Sequence, residues 1–151
     1  MFDLFKFRSM YMDAEDRLQH ILQSDPVLKA EYDIFHKLRD DPRVTPVGRL
    51  LRRWSIDELP QLVNVVRGEM NLVGPRAYIP AERELMGHSA DVILSRKPGI
   101  TGLWQVSGRN ELSFSERVAL ERKYVEDRSA SVDAKIILRT FRVVLSGNGA
   151  N

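Results

Sequence analysis

The sequence predicts a helix-dominated α+β fold in a single domain, with short strands and a loop-rich central third. The length of 151 residues suits one domain with a real hydrophobic core. Apolar residues recur at helical spacing in the first and last thirds of the chain. Residues 71–110 hold five of the nine glycines, which predicts turns and short strands there.

The first third predicts three helices. Asp13 precedes an acidic turn and apolar residues at helical spacing, so residues 12–22 are predicted as a helix capped by Asp13. Pro26 begins a second helix that continues through residue 40 and ends before Pro42. Residues 47–54 predict a short third helix.

A fourth helix is predicted from the stretch WSIDELPQL, residues 54–62. Ser55 followed three residues later by Glu58 has the spacing of a capping box. The helix would run through residue 66 and stop near Gly68, with Pro60 in its first turn, where a missing N–H is tolerated. This pattern accounts for Glu58 but leaves Asp57 unexplained.

The remaining elements are two short strands and two helices. Strands are predicted around Leu72 and over residues 103–106. The helices are predicted over residues 113–127 and 131–145. In the last helix, the basic residues Lys135, Arg139 and Arg142 share one face, which is typical either of a helix in a membrane interface or of an ordinary surface helix.

Composition excludes several classes of protein. With 43% hydrophobic and 29% charged residues, the chain is globular rather than disordered. The absence of cysteine excludes disulfide scaffolds and thiolate metal sites. The three histidines form no ligand-spaced pair, and no apolar run approaches the roughly 18 residues that span a bilayer.

Arginine is concentrated around the predicted fourth helix. Residues 43–76 carry six arginines against three acidic residues. Such a stretch suits a phosphate ester, a nucleic acid or an anionic membrane, although a solvated surface explains it equally. The segments VGPR (73–76), KPGITG (97–102) and SGRN (107–110) place glycine and basic residues together, either to receive an anion or simply to form tight turns.

Asp57 and Glu58 are the candidate reactive pair. In the first turn of a helix, the positive end of the macrodipole stabilises a carboxylate by roughly 0.3–1 kcal/mol, and Arg52 and Arg53 lie just upstream. We expect Asp57 to point outward as a nucleophile toward phosphorus, and Glu58 to hold a divalent cation. Because adjacent Asp-Glu pairs are common, a capping role alone is the alternative.

Four motifs in order resemble the bacterial sugar transferase family, the monotopic polyprenyl-phosphate phosphoglycosyltransferases. They are KFRSM (6–10), SIDELPQLVNVVRGEMNLVGPR (55–76), RKPGITGLWQVSGRN (96–110) and VDAKIILRTFRVVLSGNGA (132–150). The helical insert before Arg43 resembles the branch that acts on galactose or glucose phosphates. The resemblance covers nearly the whole chain.

The resemblance implies transfer of a hexose phosphate from a UDP-sugar to undecaprenyl phosphate, with UMP as the second product, in the first step of exopolysaccharide, O-antigen or capsule assembly. It implies that Asp57 forms a covalent phosphosugar intermediate and that Glu58 binds Mg²⁺. Arg52, Arg76 and Arg109 match family arginines that neutralise phosphate. Glu121 stands where the family commonly has an aspartate, and joins the expected substrate-binding residues.

The family normally carries a re-entrant membrane helix before KFRSM, so residues 1–151 are expected to be a catalytic domain truncated at its N-terminus. The alternative is a catalytically silent domain that acts as a membrane-surface binding module or as a regulatory module. The expected location is the cytoplasmic face of the bacterial inner membrane. Expected partners are the UDP-sugar, undecaprenyl phosphate and the membrane surface, with a homodimer left open and no nucleic acid.

Overall fold

A computed structural model of the chain describes residues 2–108 and 112–146. Within these residues helices dominate and a single pair of short strands forms, which confirms the predicted α+β class. No helix in the described part of the chain combines the length and apolarity needed to cross a membrane. The elements in chain order are α1 (Ala14–Ser24), α2 (Pro26–Phe35), α3 (Pro46–Arg53), α4 (Gln61–Val66), β1 (Asn71–Val73), α5 (Ala90–Leu94), β2 (Gly99–Thr101), α6 (Phe114–Asp127) and α7 (Ala130–Ser146).

Helices α1 and α2 form a hairpin that precedes the glycine-containing segments of the middle of the chain. Asp25 caps α2, since its side chain accepts the backbone N–H groups of Val27 and Leu28. The predicted extension of α2 to residue 40 is wrong. The helix ends at Phe35 because His36 adopts the left-handed conformation, with φ of 51°, and its ring packs 4.9 Å from the ring of Phe114.

The predicted helix from Ser55 to Gly68 is divided into two elements. Residues Ile56–Glu58 form one turn of 3₁₀ helix, and α4 begins only after Pro60. Ser55 has a φ of 53° and its side chain makes no capping hydrogen bond, so the predicted capping box does not form. Asp13 likewise makes no side-chain cap on α1, because its carboxylate pairs with Arg17 at 2.9 Å.

Strands β1 and β2 pair in parallel, with Asn71 opposite Gly99 and Val73 opposite Thr101. The predicted strand over residues 103–106 is wrong, since Trp104–Val106 is a 3₁₀ turn that follows β2. A Cβ on Gly99 would lie 2.1 Å from the backbone nitrogen of Gly74, so the close approach requires glycine. Residues 80–94, for which no helix was predicted, contain two 3₁₀ segments and α5.

Helices α6 and α7 agree with the predicted C-terminal pair. Ser113 and Glu116 form a capping box at the start of α6. One core cluster joins α6 to α5 and the 3₁₀ segment before it, and a second joins α6 and α7 to β1. The buried members are Met86, Ala90, Ile93, Phe114 and Val118 in the first cluster and Val73, Tyr124 and Ile136 in the second. Helix α6 therefore touches both halves of the core.

Candidate functional site

The Asp57–Glu58 pair lies in the 3₁₀ turn between α3 and α4. Asp57 is only 2% exposed, so the expectation that its side chain points outward is wrong. Glu58 is more open, with 28% of its side chain exposed. The turn is closed by its own backbone, because Glu58 N–H donates to the Ser55 carbonyl at 3.2 Å. Glu58 thus has a side chain that is not used for capping.

An N-terminal segment, residues 2–10, lies against this turn and brings a lysine to both carboxylates. The Phe7 N–H donates to the Asp57 carbonyl at 2.9 Å. Lys6 Nζ stands 3.0 Å from Asp57 Oδ2 and 3.6 Å from Glu58 Oε1. The same segment is held by the fully buried Asn64, whose side chain accepts the Phe5 N–H at 3.1 Å. Lys6 therefore serves as the counter-charge of the carboxylate pair.

Asp57 Oδ2 is buried and has no hydrogen-bond partner within the described residues. The Lys6 ammonium is close enough for ion pairing, but its direction does not meet hydrogen-bond geometry. Buried carboxylate oxygens normally accept hydrogen bonds, and an exception needs an explanation. Asp57 Oδ2 is thus a buried carboxylate oxygen that accepts no hydrogen bond within the described residues and whose ion-pair partner is a partly exposed lysine, an arrangement compatible with a nucleophile.

Arg52 does not pair with Asp57. Its Nε donates to Ser9 Oγ at 2.9 Å, and Ser9 is a buried residue of the N-terminal segment. Arg53 instead lies against the neighbouring Trp54 ring, 5.8 Å from its centre. Arg52, which belongs to α3, thus helps to hold the N-terminal segment that carries Lys6.

Arg76 and Glu121 belong to a second polar group, which we call the α6 cluster and which comprises Arg76, Tyr78, Glu82, Arg117 and Glu121. Glu121 Oε1 accepts the Arg76 backbone N–H at 2.7 Å. The Arg76 guanidinium pairs with Glu82 at 2.9 Å and lies 5.4 Å from the centre of the Tyr78 ring. The structure therefore brings Arg76 and Glu121 together, but in a group separate from Lys6, Asp57 and Glu58.

Burial dominates the ionisation of the α6 cluster. Glu121 is 1% exposed, and desolvation raises its pKa to about 7, against smaller effects of Tyr78, Arg76 and Arg117 in the opposite direction. Burial also raises the pKa of Tyr78, with the Glu121 carboxylate adding to the effect. Burial and the nearby Arg76 lower the pKa of Arg117. Arg109 lies outside the described residues.

A cleft of about 170 Å³ opens beside Glu58. Its walls come from the 3₁₀ turn, α4, β2 with the turn that follows it, and α7. The lining residues include Trp54, Glu58, Leu62, Thr101, Gln105 and Val144. The cleft is mostly apolar with Glu58 among its lining residues, which suits a ligand that carries both a hydrocarbon chain and a charged head.

The glycine loops do not offer their backbone donors to a ligand at two key positions. Gly74 N–H donates to the Thr101 carbonyl at 2.9 Å, and Gly99 N–H donates to the Pro75 carbonyl at 2.8 Å. Lys97 Nζ donates to the Gly68 carbonyl at 2.6 Å. Of the two interpretations of VGPR and KPGITG, tight turns between closely packed strands is therefore the one that applies to Gly74 and Gly99.

The family follows from comparison with known proteins. A family model described as bacterial sugar transferase matches residues 1–147. This chain belongs to the bacterial sugar transferase family. The resemblance that its four motifs carry is confirmed.

Similar proteins include a UDP-galactose-lipid carrier transferase of Erwinia amylovora, 49% identical over 149 residues, which are 99% of this chain and 31% of that protein. An undecaprenyl-phosphate galactose phosphotransferase of Salmonella typhimurium is 45% identical over 150 residues, 99% of this chain and 32% of that protein. The exopolysaccharide production protein ExoY of Sinorhizobium fredii is 44% identical over 149 residues, 99% of this chain and 66% of that protein. The chain thus spans about a third of the length of the first two.

The magnesium ion expected from the sequence resemblance remains a prediction, and the residues present fit one only as a shared site. No group of three or more His, Asp or Glu side chains converges in the described part of the chain. Two carboxylate oxygens, Asp57 Oδ2 and Glu58 Oε1, lie together, and both pair with Lys6 Nζ. Mg²⁺ is commonly held by one or two carboxylates together with substrate phosphates, so this donor set fits when a phosphate completes it.

Lys6, Arg117 and Tyr78 were not among the sequence-predicted site residues. Lys6 stands in the KFRSM motif, but nothing in its spacing indicates a contact with residues 57 and 58. Arg117 and Glu121 are four residues apart on α6, a spacing that could have identified Arg117 once Glu121 was a candidate. No sequence pattern indicates Tyr78, since its place in the α6 cluster depends on packing against Phe114 and on contact with Glu121.

Proposed function

We propose that this chain is the catalytic part of a phosphoglycosyltransferase that transfers a hexose 1-phosphate from a UDP-sugar to undecaprenyl phosphate. The products would be undecaprenyl-diphosphate-sugar and UMP, in the first step of exopolysaccharide, O-antigen or capsule glycan assembly. The observation that carries the proposal is the buried Oδ2 of Asp57, which accepts no hydrogen bond within the described residues and lies beside Lys6 and Glu58. Family membership and the names of the relatives support the substrate class.

In the first step Asp57 Oδ2 attacks the β-phosphorus of the UDP-sugar. A bond forms between Oδ2 and the β-phosphorus, and the bond from that phosphorus to the oxygen bridging the two phosphates breaks. UMP leaves with the bridging oxygen and its electron pair, and the sugar phosphate remains on Asp57 as an acyl phosphate. Lys6 must move for the phosphate to reach Oδ2, and its side chain is 40% exposed, so it has room to do so.

In the second step a phosphate oxygen of undecaprenyl phosphate attacks the same phosphorus. The bond between Asp57 Oδ2 and phosphorus breaks, the carboxylate is regenerated, and the lipid diphosphate sugar leaves. Two substrates would then use one nucleophile in turn, which predicts ping-pong kinetics. Lys6 can return to Asp57 between the steps, because both carboxylates lie within 4 Å of its Nζ.

Glu58 would hold the Mg²⁺ ion together with substrate phosphate. When bound, the ion would neutralise charge on the diphosphate during transfer. Arg52 holds Ser9 and Arg76 is paired with Glu82, so these arginines position the segments around the site in the state described. Arg52 and Arg76, with Arg109, remain the proposed phosphate-neutralising residues.

The surface beside the cleft supports a membrane location, proposed as the cytoplasmic face of the inner membrane. Helices α3, α4 and α7 expose large apolar side chains next to arginine and lysine. The clearest cases are Val47, Leu50, Val63, Val66, Leu138, Phe141 and Leu145. Apolar groups flanked by cations are typical of a surface that enters the headgroup region of an anionic bilayer. A lipid acceptor could then reach the cleft from the membrane.

The reaction is tested with the chain, Mg²⁺, UDP-galactose or UDP-glucose, and vesicles that contain undecaprenyl phosphate. The expected result is release of UMP that requires the lipid phosphate for turnover. Release of UDP would contradict phosphosugar transfer, since UDP is the product when a sugar moves without its phosphate. Vesicle binding without any nucleotide product would favour the alternative, a silent membrane-surface domain.

A further inference from the structure

We propose that Trp104, Arg117 and Glu121 form the subsite that receives the hydroxyl groups of the transferred sugar. The inference rests on the proposed function and adds to it the place where the hexose is recognised. It is carried by three unpartnered buried polar atoms that lie in one group.

Trp104 Nε1, Arg117 Nε and Glu121 Oε2 are each buried and have no hydrogen-bond partner within the described residues. Arg117 is 5% exposed and Glu121 is 1% exposed, so water does not satisfy these groups from the bulk. Unsatisfied buried polar atoms are rare in folded proteins because each loses its hydrogen bonds to water. Three of them in one group indicate that a ligand supplies the partners.

The three groups are adjacent. Arg117 and Glu121 are four residues apart on α6 and share one face of the helix. The Arg117 guanidinium carbon lies 5.6 Å from the centre of the Trp104 ring and 5.5 Å from that of Phe114. Aromatic surface therefore borders the polar atoms, as it commonly does in sites for small organic ligands.

The chemistry of the open atoms matches hydroxyl groups better than phosphate. Trp104 and Arg117 each offer an N–H donor, whereas Glu121 offers a carboxyl oxygen. A sugar diol can accept from the two donors and donate to the carboxylate. An ionised phosphate has acceptors only, and it would meet the carboxylates of Glu121 and of Glu82, which pairs with Arg76 in the same cluster.

The position of the subsite also fits a group bonded to the β-phosphate. Trp104 and Gln105 are consecutive residues of the 3₁₀ turn Trp104–Val106. Gln105 lines the cleft that contains Glu58, whereas Trp104 contacts Arg117. One turn of the backbone thus lines the cleft beside Glu58 with one residue and contacts the proposed sugar subsite with the next.

The α1–α2 hairpin completes the subsite from outside. Arg117 Nη2 donates to the Phe35 carbonyl at the end of α2, at 2.5 Å. His36, the next residue, packs its ring on Phe114. The hairpin therefore fixes the orientation of Arg117, and we assign to it a positioning role in sugar binding.

The test compares the affinity of the chain for UDP-galactose, UDP-glucose and UDP by titration calorimetry. Trp104→Phe removes the indole donor and keeps an aromatic ring, and Glu121→Gln removes the charge but keeps an oxygen for the Arg76 N–H. Each variant is expected to weaken the tighter sugar nucleotide roughly tenfold and to leave UDP binding within about twofold, as loss of one buried hydrogen bond predicts. Tyr124→Phe is the matched control, because Tyr124 is buried on the same helix but bonds to Asp133.

A second measurement does not depend on the folding of those variants. The chain has two tryptophans, so Trp54→Phe leaves Trp104 as the only indole fluorophore. Its emission should change on titration with the sugar nucleotide and remain the same with UDP.

Three results would overturn the subsite. Unchanged sugar-nucleotide affinity in both variants would show that these atoms do not contact the sugar. Equal weakening of UDP and the sugar nucleotide would assign the group to the nucleotide or diphosphate instead. If the unaltered chain binds neither nucleotide, the proposed function fails first and the subsite fails with it.

Discussion

The carboxylate pair and the α6 cluster each contain a buried acidic side chain, but the surroundings of the two side chains differ. Asp57 is buried but lies next to a lysine that is 40% exposed and belongs to a different segment. Glu121 is buried on α6, where it accepts the Arg76 backbone N–H and lies beside Tyr78 and the Arg76 and Arg117 guanidinium groups. A partly exposed counter-charge fits the proposed reactive role of Asp57, whereas burial on a helix fits the proposed recognition role of Glu121.

The largest expected effect is on the carboxylate pair. Asp57→Asn keeps the size of the side chain and removes the nucleophilic charge, so UMP release should fall by roughly 10³-fold or more, as in other enzymes that lose a nucleophile. Asp91→Asn is the control, since the Asp91 side chain is 86% exposed and pairs with Arg83 rather than with a member of either group. Equal activity of the two variants would remove Asp57 from the mechanism.

The second effect is on the α6 cluster and depends on pH. The folded chain keeps the Glu121 proton up to a pKa of about 7, whereas the unfolded chain releases it near the ordinary value of 4.5. Between these values the unfolded chain binds fewer protons, so the free energy of unfolding falls as pH rises, by on the order of 3 kcal/mol.

Glu121→Gln cannot ionise, so chemical denaturation between pH 4.5 and 8 should show a flatter stability curve than the unaltered chain. Glu126→Gln, an exposed member of an ion pair on the same helix, should keep the original curve. If both variants keep the pH dependence of the unaltered chain, burial does not control the ionisation of Glu121.

The third effect is on membrane binding by the exposed apolar side chains near the cleft and near the α6 cluster. Phe141 is exposed on α7, whose neighbouring Val144 lines the cleft beside Glu58. Phe141→Ser should weaken binding to anionic vesicles by about 2 kcal/mol, the value for burying one large apolar side chain. Leu85→Ser, an equally exposed change on the side of the α6 cluster, should leave vesicle binding unaltered. Co-sedimentation of both variants checks the difference.

The smallest effect is on the counter-charge. Lys6→Met leaves two carboxylates without their shared cation, so activity should fall about tenfold and stability by about 1–2 kcal/mol, below the full value for a buried pair because Lys6 is partly solvated. Lys6→Arg should restore most of both. Full activity of Lys6→Met, measured by UMP release, would show that Lys6 only fills space.

Local patterns predicted the C-terminal half of the helical fold and failed where distant contacts decide the backbone. Helices α6 and α7 follow their periodicity, and Ser113 with Glu116 forms a true capping box. Ser55 and Glu58 have the same spacing, yet Ser55 adopts a left-handed conformation. The turn there is held by Phe7 and Lys6 of the N-terminal segment. These residues lie about fifty positions away in sequence, so no local pattern contains the contact.

The candidate site shows the same limit. Residue type and motif identified Asp57, Glu58, Arg76 and Glu121 as candidates, and the structure explains how each is placed. Sequence could not predict that Asp57 is buried, or that Glu121 keeps one oxygen without a partner, because both depend on packing between separate segments. Lys6 is the clearest example of a residue that only its contacts identify.

The central claim is that Asp57 carries the sugar phosphate between two substrates. The most direct measurement is intact mass spectrometry of the chain after incubation with UDP-galactose or UDP-glucose and Mg²⁺, without lipid acceptor, followed by peptide mapping. The account predicts one added hexose phosphate on the peptide that contains Asp57, removed when undecaprenyl phosphate is supplied and absent from Asp57→Asn. UMP formation that depends on lipid phosphate, with no adduct on that peptide at any time, would contradict it.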